Sequence, residues 1–211
     1  MQRRSVLTLP LLTLCATAAR AQASTSRVYT RVATPLGAFV IAVDPAKAPV
    51  TVANYLAHVD AKALDGGQVY RIVNTANQAP ETKHRISVVQ WGLNLADDRP
   101  APLPPIAHET TQQTGLRHLD GTVSMVRLAP GTASSEFFIC IGDQPELDFG
   151  GGRNPDGQGF AAFGQVVAGQ DVVQALYRLG QAASQYPQPP VPVLSVRRIG
   201  ADEIGITSKL H

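Results

Sequence analysis

Between residues 27 and 199 the apolar runs are short, mostly alternate with polar residues, and end at proline, glycine or aspartate. Such runs suit half-buried strands joined by tight turns. Residues 27–43 read as a hairpin turning at Thr34-Pro35-Leu36-Gly37. Further strands are read at 68–73, 85–91, 122–127, 137–142, 160–167 and 191–199. Only two stretches carry helical periodicity. One runs about ten residues from Pro49, with Val52, Tyr55, Leu56 and Val59 on one face; the other covers 171–179. A helix bundle needs longer stripes, and a parallel sheet needs strand–helix alternation that is missing. The 18 Gly and 16 Pro agree with strands and turns. The pattern predicts a mainly-β fold, a closed antiparallel barrel capped by two helices.

The first residues have a different character. Arg3 and Arg4 precede an apolar stretch over 6–17, and Ala19-Arg20-Ala21 is a small-x-small cleavage signal. The stretch is too short to span a bilayer. Residues 1–21 therefore read as a signal peptide of the general secretory or twin-arginine type, cleaved near Ala21. Leu14 before Cys15 does not fit the small residue that a lipoprotein signal needs. Periplasmic location after cleavage is expected, with no membrane attachment. One cysteine, Cys140, remains, so no internal disulfide can form. Its apolar neighbours predict a buried, inert thiol.

With 18 basic against 16 acidic residues there is no basic stripe for nucleic acid. The five histidines (His58, His84, His108, His118, His211) lack metal-ligand spacing, so no metal site and no cofactor are expected. Gly150-Gly151-Gly152 lacks the strand–turn–helix setting of a nucleotide loop. No nucleophile–base grouping of a hydrolase is legible, and Asp148 and Asp156 read as turn residues.

The most informative stretch is Gly131-Thr132-Ala133-Ser134-Ser135-Glu136-Phe137-Phe138-Ile139-Cys140. Small residues that allow a close backbone lead into an aromatic wall, as in a groove for an extended peptide. Three other segments accompany it: Val69-Tyr70-Arg71-Ile72-Val73, Gly121-Thr122-Val123-Ser124-Met125 and Ala161-Ala162-Phe163-Gly164-Gln165-Val166. Together, in this order, they resemble the cyclophilin-type peptidyl-prolyl cis-trans isomerases of the exported bacterial kind. The likeness covers roughly residues 29–200. It implies an eight-stranded antiparallel barrel over 28–200, after a flexible N-terminus at 22–27 and before a C-terminal tail at 201–211. It also implies a monomer acting on proline-containing polypeptides, without nucleic acid.

The resemblance assigns catalysis to Arg71, whose guanidinium would face the prolyl nitrogen, and to Gln90, which would hold it. It assigns the proline pocket to Val88, Met125, Phe138 and Leu147, and the substrate-backbone edge to Val126, Arg127 and Leu128. Several positions depart from the family pattern. Glu136 replaces a glutamine and, as an acceptor, could pair with Arg71. Glu146 replaces an aromatic on the pocket rim, and Phe160 a histidine. An insertion at 74–84 lengthens the path from Arg71 to Gln90, puts Ser87 where the family has a phenylalanine, and leaves Trp91 unassigned. The implied activity is X–Pro isomerisation assisting the folding of exported proteins. The alternative is a catalytically weak proline-peptide-binding or chaperone module on the same fold.

Overall fold

The computed structural model describes residues 27–94 and 101–205. The expected signal peptide at 1–21, residues 22–26 and residues 206–211 lie outside the described residues.

The expected hairpin forms from β1 (Val28–Thr34) and β2 (Gly37–Val43). Thr34 Oγ1 donates to the Gly37 carbonyl at 2.9 Å and accepts from the Leu36 N–H at 3.2 Å, which closes the turn. Helix α1 (Pro49–Asp60) starts at a proline, whose missing N–H costs nothing there. Its next N–H groups at Val50 and Thr51 donate to the Glu109 carboxylate at 3.1 and 2.7 Å. Val52, Tyr55, Leu56 and Val59 are all buried, as the periodicity requires.

The chain continues through β3 (Gln68–Val73), β4 (Val88–Gly92), a short helix α2 (Thr111–Thr114), β5 (Thr122–Met125) and β6 (Glu136–Cys140). It ends with β7 (Ala162–Ala168), α3 (Gln170–Tyr177), β8 (Val191–Pro192) and β9 (Ser195–Ile199). Helix α2 lies in a stretch whose prolines mask it. A capping box in which Thr110 and Gln113 exchange hydrogen bonds holds its single turn.

The nine strands form one antiparallel sheet in the order β8-β3-β4-β6-β5-β7-β2-β1-β9. The expected closed barrel of eight strands with two helices is thus corrected to a curled sheet of nine strands with three helices. The difference lies in the last strand. The expected strand over 191–199 is two pieces, with β8 pairing β3 at one edge and β9 pairing β1 at the other. Between them Val193 donates to Gly67 O at 2.7 Å and Leu194 to Ala33 O at 2.8 Å. One segment therefore serves both edges, which blunts the unpaired backbone that an open sheet would present.

The core fills the concave side. Phe137 lies in van der Waals reach of Tyr55, Trp91 and Phe163, with ring centroids at 5.2, 5.0 and 5.9 Å. Trp91, unassigned from the sequence, is a core residue, 1% exposed. Cys140 is buried, and that burial pushes its thiol well above the ordinary range.

Candidate active site

Strand alternation divides β4 and β6 between two faces. Val89, Trp91, Phe137 and Ile139 enter the main core. Val88, Phe138 and Cys140 point outward into a second apolar cluster with Val73, Ile86 and Leu147. The loop over 142–160 folds across that cluster and leaves a hollow of about 200 Å³. Its apolar wall is Ile86, Val88, Val126, Phe138, Leu147 and Phe160; its polar lining is Arg71, Gln90, Arg127, Arg153 and Asn154.

Arg71 and Gln90 are register partners across β3 and β4, beside an irregularity at Val69–Arg71. The guanidinium donates through Nη1 to Gln90 Oε1 at 3.1 Å and through Nε to Gln185 Oε1 at 2.8 Å. Gln185 in turn donates to the Asn77 carbonyl at 2.9 Å. A guanidinium has five N–H donors, and these two bonds leave three available to a ligand.

Gln90 also donates through Nε2 to the Tyr70 hydroxyl, and that hydroxyl donates to Glu136 Oε2 at 2.7 Å. The donors run in one direction, Arg71 to Gln90 to Tyr70 to Glu136, and end on a carboxylate. Each bond polarises the next. Burial, reinforced by the Glu136 charge, keeps the Tyr70 hydroxyl protonated far above its ordinary range, so the donor at this step is secure. Replacing Tyr70 with Phe is expected to lower kcat/KM about tenfold, since a hydrogen bond to a charged group contributes about 1.5 kcal/mol. Steady-state kinetics measure this. A loss in kcat with little change in KM marks Tyr70 as a positioning residue.

Phe138 forms the pocket wall. It meets Phe160 edge-on at 5.4 Å and stacks on His118 at 5.8 Å. Behind it His118 Nδ1 sits 2.8 Å from Asp148 Oδ1, and Nε2 sits 2.9 Å from Ser124 Oγ. Sequence alone did not reveal this Ser–His–Asp geometry. All three residues are buried, Ser124 completely, so the hydroxyl has no access to an acyl group. The trio buttresses the aromatic wall.

Asp148 is consequently more than a turn residue. Burial raises its carboxyl pKa, but bonds from the His118 ring, the His118 N–H and Arg117 outweigh that and leave it below the ordinary aspartate value. A depressed folded-state value means stability present above about pH 4 and lost as pH falls through the lower value. Thermal unfolding between pH 6 and about pH 3 should show a falling Tm. Asp148→Asn should lower Tm at neutral pH and flatten that acid slope.

The sequence profile of the family described as cyclophilin type peptidyl-prolyl cis-trans isomerase/CLD matches residues 28–198. The chain belongs to this family. Among curated relatives, peptidyl-prolyl cis-trans isomerase cyp18 of Streptomyces antibioticus is 32% identical over 173 residues, 79% of this chain and 96% of that protein. Peptidyl-prolyl cis-trans isomerase A of Dickeya dadantii is 31% identical, covering 81% of each chain. A crystal structure of a Cryptosporidium parvum cyclophilin-type isomerase has a TM-score of 0.66 at 15% identity, covering 82% of this chain and 98% of that one. A second crystal structure of that protein, in the presence of the dipeptide Ala-Pro, has a TM-score of 0.65.

The cyclophilin pocket gathers Arg71, Gln90, Val88, Val126, Arg127, Phe138, Leu147 and Phe160, all named from the sequence. Met125 is a correction: it is fully buried in the main core, because alternation on β5 turns Ser124, not Met125, toward the outer face. Leu128 lies beyond the lining, 93% exposed. Glu146 is also outside the lining. It pairs with His84 Nδ1 at 2.7 Å and accepts from the Gly152 N–H at 2.8 Å.

Arg127 does not extend into solvent. It clamps Asp156 with two bonds, at 2.8 and 2.9 Å, and lies 5.2 Å over the Phe160 ring. Those bonds hold the Asp156 carboxyl down at about 2, another aspartate that does more than turn the chain. The expected pairing of Glu136 with Arg71 is replaced by the longer route through Tyr70 and Gln90. Sequence reasoning missed Tyr70, Gln185, Arg153 and Asn154. Ile86 replaces the wall that Ser87 cannot supply, and its place on one face with Val88 and Gln90 was the available signal.

Proposed function

We propose that this cyclophilin rotates X–Pro bonds, with Arg71 as the catalytic residue and Gln90 as its holder. The carrying observation is a guanidinium fixed by two neutral amides at the edge of an apolar hollow, with donors to spare. Resonance makes the imide barrier about 18–20 kcal/mol. As the bond twists, the nitrogen lone pair is restored and becomes a better acceptor. A preorganised donor aimed at it stabilises the twisted form more than either planar one. The six apolar lining residues suit the pyrrolidine ring, and no covalent bond breaks. Val126 and Arg127 border the hollow, where the substrate backbone would run.

Proline-containing polypeptides are the proposed substrates, and the Ala-Pro dipeptide used with the Cryptosporidium parvum protein supports this choice. The N-terminal residues further support a reading in which the mature chain starts near Gln22 and acts on newly exported proteins in the periplasm; we propose that it does so as a monomer. Uncatalysed isomerisation takes tens of seconds, slow enough to delay their folding.

NMR exchange spectroscopy on a blocked Ala-Pro peptide tests the activity. Catalysis predicts cis–trans exchange cross-peaks at substoichiometric protein. Chemical-shift changes without exchange would instead support the weak-binding module.

A further inference from the structure

Arg153 belongs to no assigned role, yet it lines the same hollow as Arg71. It arrives there on the glycine-rich loop, packed against the insertion. At Gly152 a Cβ would sit 2.4 Å from His84 Nε2, so only glycine lets the His84 ring lie close enough to pair with Glu146. With the loop fastened, Arg153 Nη1 donates to the His84 carbonyl at 3.1 Å and to Gln78 Oε1 at 3.4 Å. Gln78 is itself fixed by Asn74 O and Ile86 O, at 2.8 and 2.9 Å. The insertion therefore aims this guanidinium.

Three observations point to an anionic guest. Every hydrogen-bond partner of Arg153 is neutral, and among the described residues neither Arg153 nor Arg71 makes an ion pair. Two cations without a direct ion pair thus share one partly enclosed space, where their field is less screened than on an open surface. Burial first, and the Arg71 charge second, hold Arg153 below the ordinary arginine value. Beside them Asn154 lines the same hollow, and its Nδ2 has no hydrogen-bond partner. The remaining cation, Arg127, is already neutralised by Asp156 and contributes no unmet charge.

We propose that Arg153 and Asn154 form an anion-accepting subsite of the proline pocket that favours substrates with an acidic side chain next to the proline. The carboxylate would take a forked bond from Arg153 and the Asn154 amide, geometry that arginine supplies and lysine does not. This rests on the reading that the hollow receives proline, so its test is built on binding ratios rather than turnover.

Blocked peptides Ac-Ala-Ala-Pro-Ala-NH2, its two Glu variants flanking the proline, and the matching Lys variants are titrated by calorimetry or NMR. The wild type should bind at least one Glu peptide about fivefold more tightly than the Ala peptide, with the advantage shrinking as salt rises from about 0.05 to 0.5 M. In Arg153→Gln the Glu-to-Ala ratio should fall to within about twofold, and Arg153→Glu should invert it in favour of Lys. The ratio is internal to each protein, so a general loss of affinity does not imitate the effect. A wild-type ratio within twofold, or one that survives Arg153→Gln, overturns the subsite while leaving the proline pocket standing. Failure of every peptide, the neutral one included, overturns the pocket and the subsite together.

Discussion

Replacing Arg71 with Ala should lower kcat/KM for an Ala-Pro-Phe reporter by about 10² to 10³-fold, the usual effect of deleting one preorganised donor at a developing charge. The argument is geometric. Gln90 and Gln185 fix two edges of the guanidinium, at 3.1 and 2.8 Å, so it needs no reorganisation when the imide twists. Alanine leaves the apolar hollow intact, and the loss should fall on kcat more than on KM. Arg71→Lys should recover little. A single ammonium cannot hold both glutamines and reach the substrate. Stability is a weak competitor as an explanation, because Arg71 is only half-buried and makes no ion pair among the described residues. A protease-coupled assay alongside thermal unfolding separates the two. Activity within threefold of wild type at unchanged Tm would remove Arg71 from catalysis.

The legible part of this site is the part built on strands. Alternation along the expected strand 85–91 put Ile86, Val88 and Gln90 on one face, and the pairing of β3 with β4 then brought Gln90 to Arg71. The family resemblance, by contrast, put Met125 in the pocket against that rule. On β5 the position was right in sequence, but its parity sends the side chain into the core. What stayed hidden was contributed by loops. Gln185 comes from a proline-rich connector, and Arg153 from a glycine-rich loop whose path depends on His84 and Glu146 meeting across it. Periodicity carries no information about such encounters. Tyr70 was missed for another reason: its neighbour Arg71 bears the obvious charge, while the hydroxyl matters only through Gln90 and Glu136. The split of the last strand into β8 and β9 was likewise invisible, since residues 191–199 read as one continuous strand.

The adjacent rings of β6 provide the largest expected effect on stability. Phe137→Ala should destabilise the protein by about 3 to 5 kcal/mol, the range for deleting a buried aromatic. Phe137 has no exposed surface and lies at the centre of the core. It meets Tyr55 edge-on at 85° and touches Trp91 and Phe163 at tilted angles. Three rings cannot collapse into the gap together, because Tyr55 is tethered through its hydroxyl to Thr30 Oγ1 at 2.7 Å. The cavity term should therefore stay near its upper range. Against a total stability of about 5 to 15 kcal/mol this is a large fraction, and Tm should fall by roughly 10 °C or more. Phe138→Ala removes the same group one residue later, but from the outer face. There the ring bounds a hollow already open to ligand, flanked by Phe160 and His118. Its truncation should weaken proline-peptide affinity more than tenfold at a smaller loss of Tm. Denaturant melts and peptide titrations on the two variants decide the matter: equal losses of stability would mean that the two faces of β6 do not divide folding from binding.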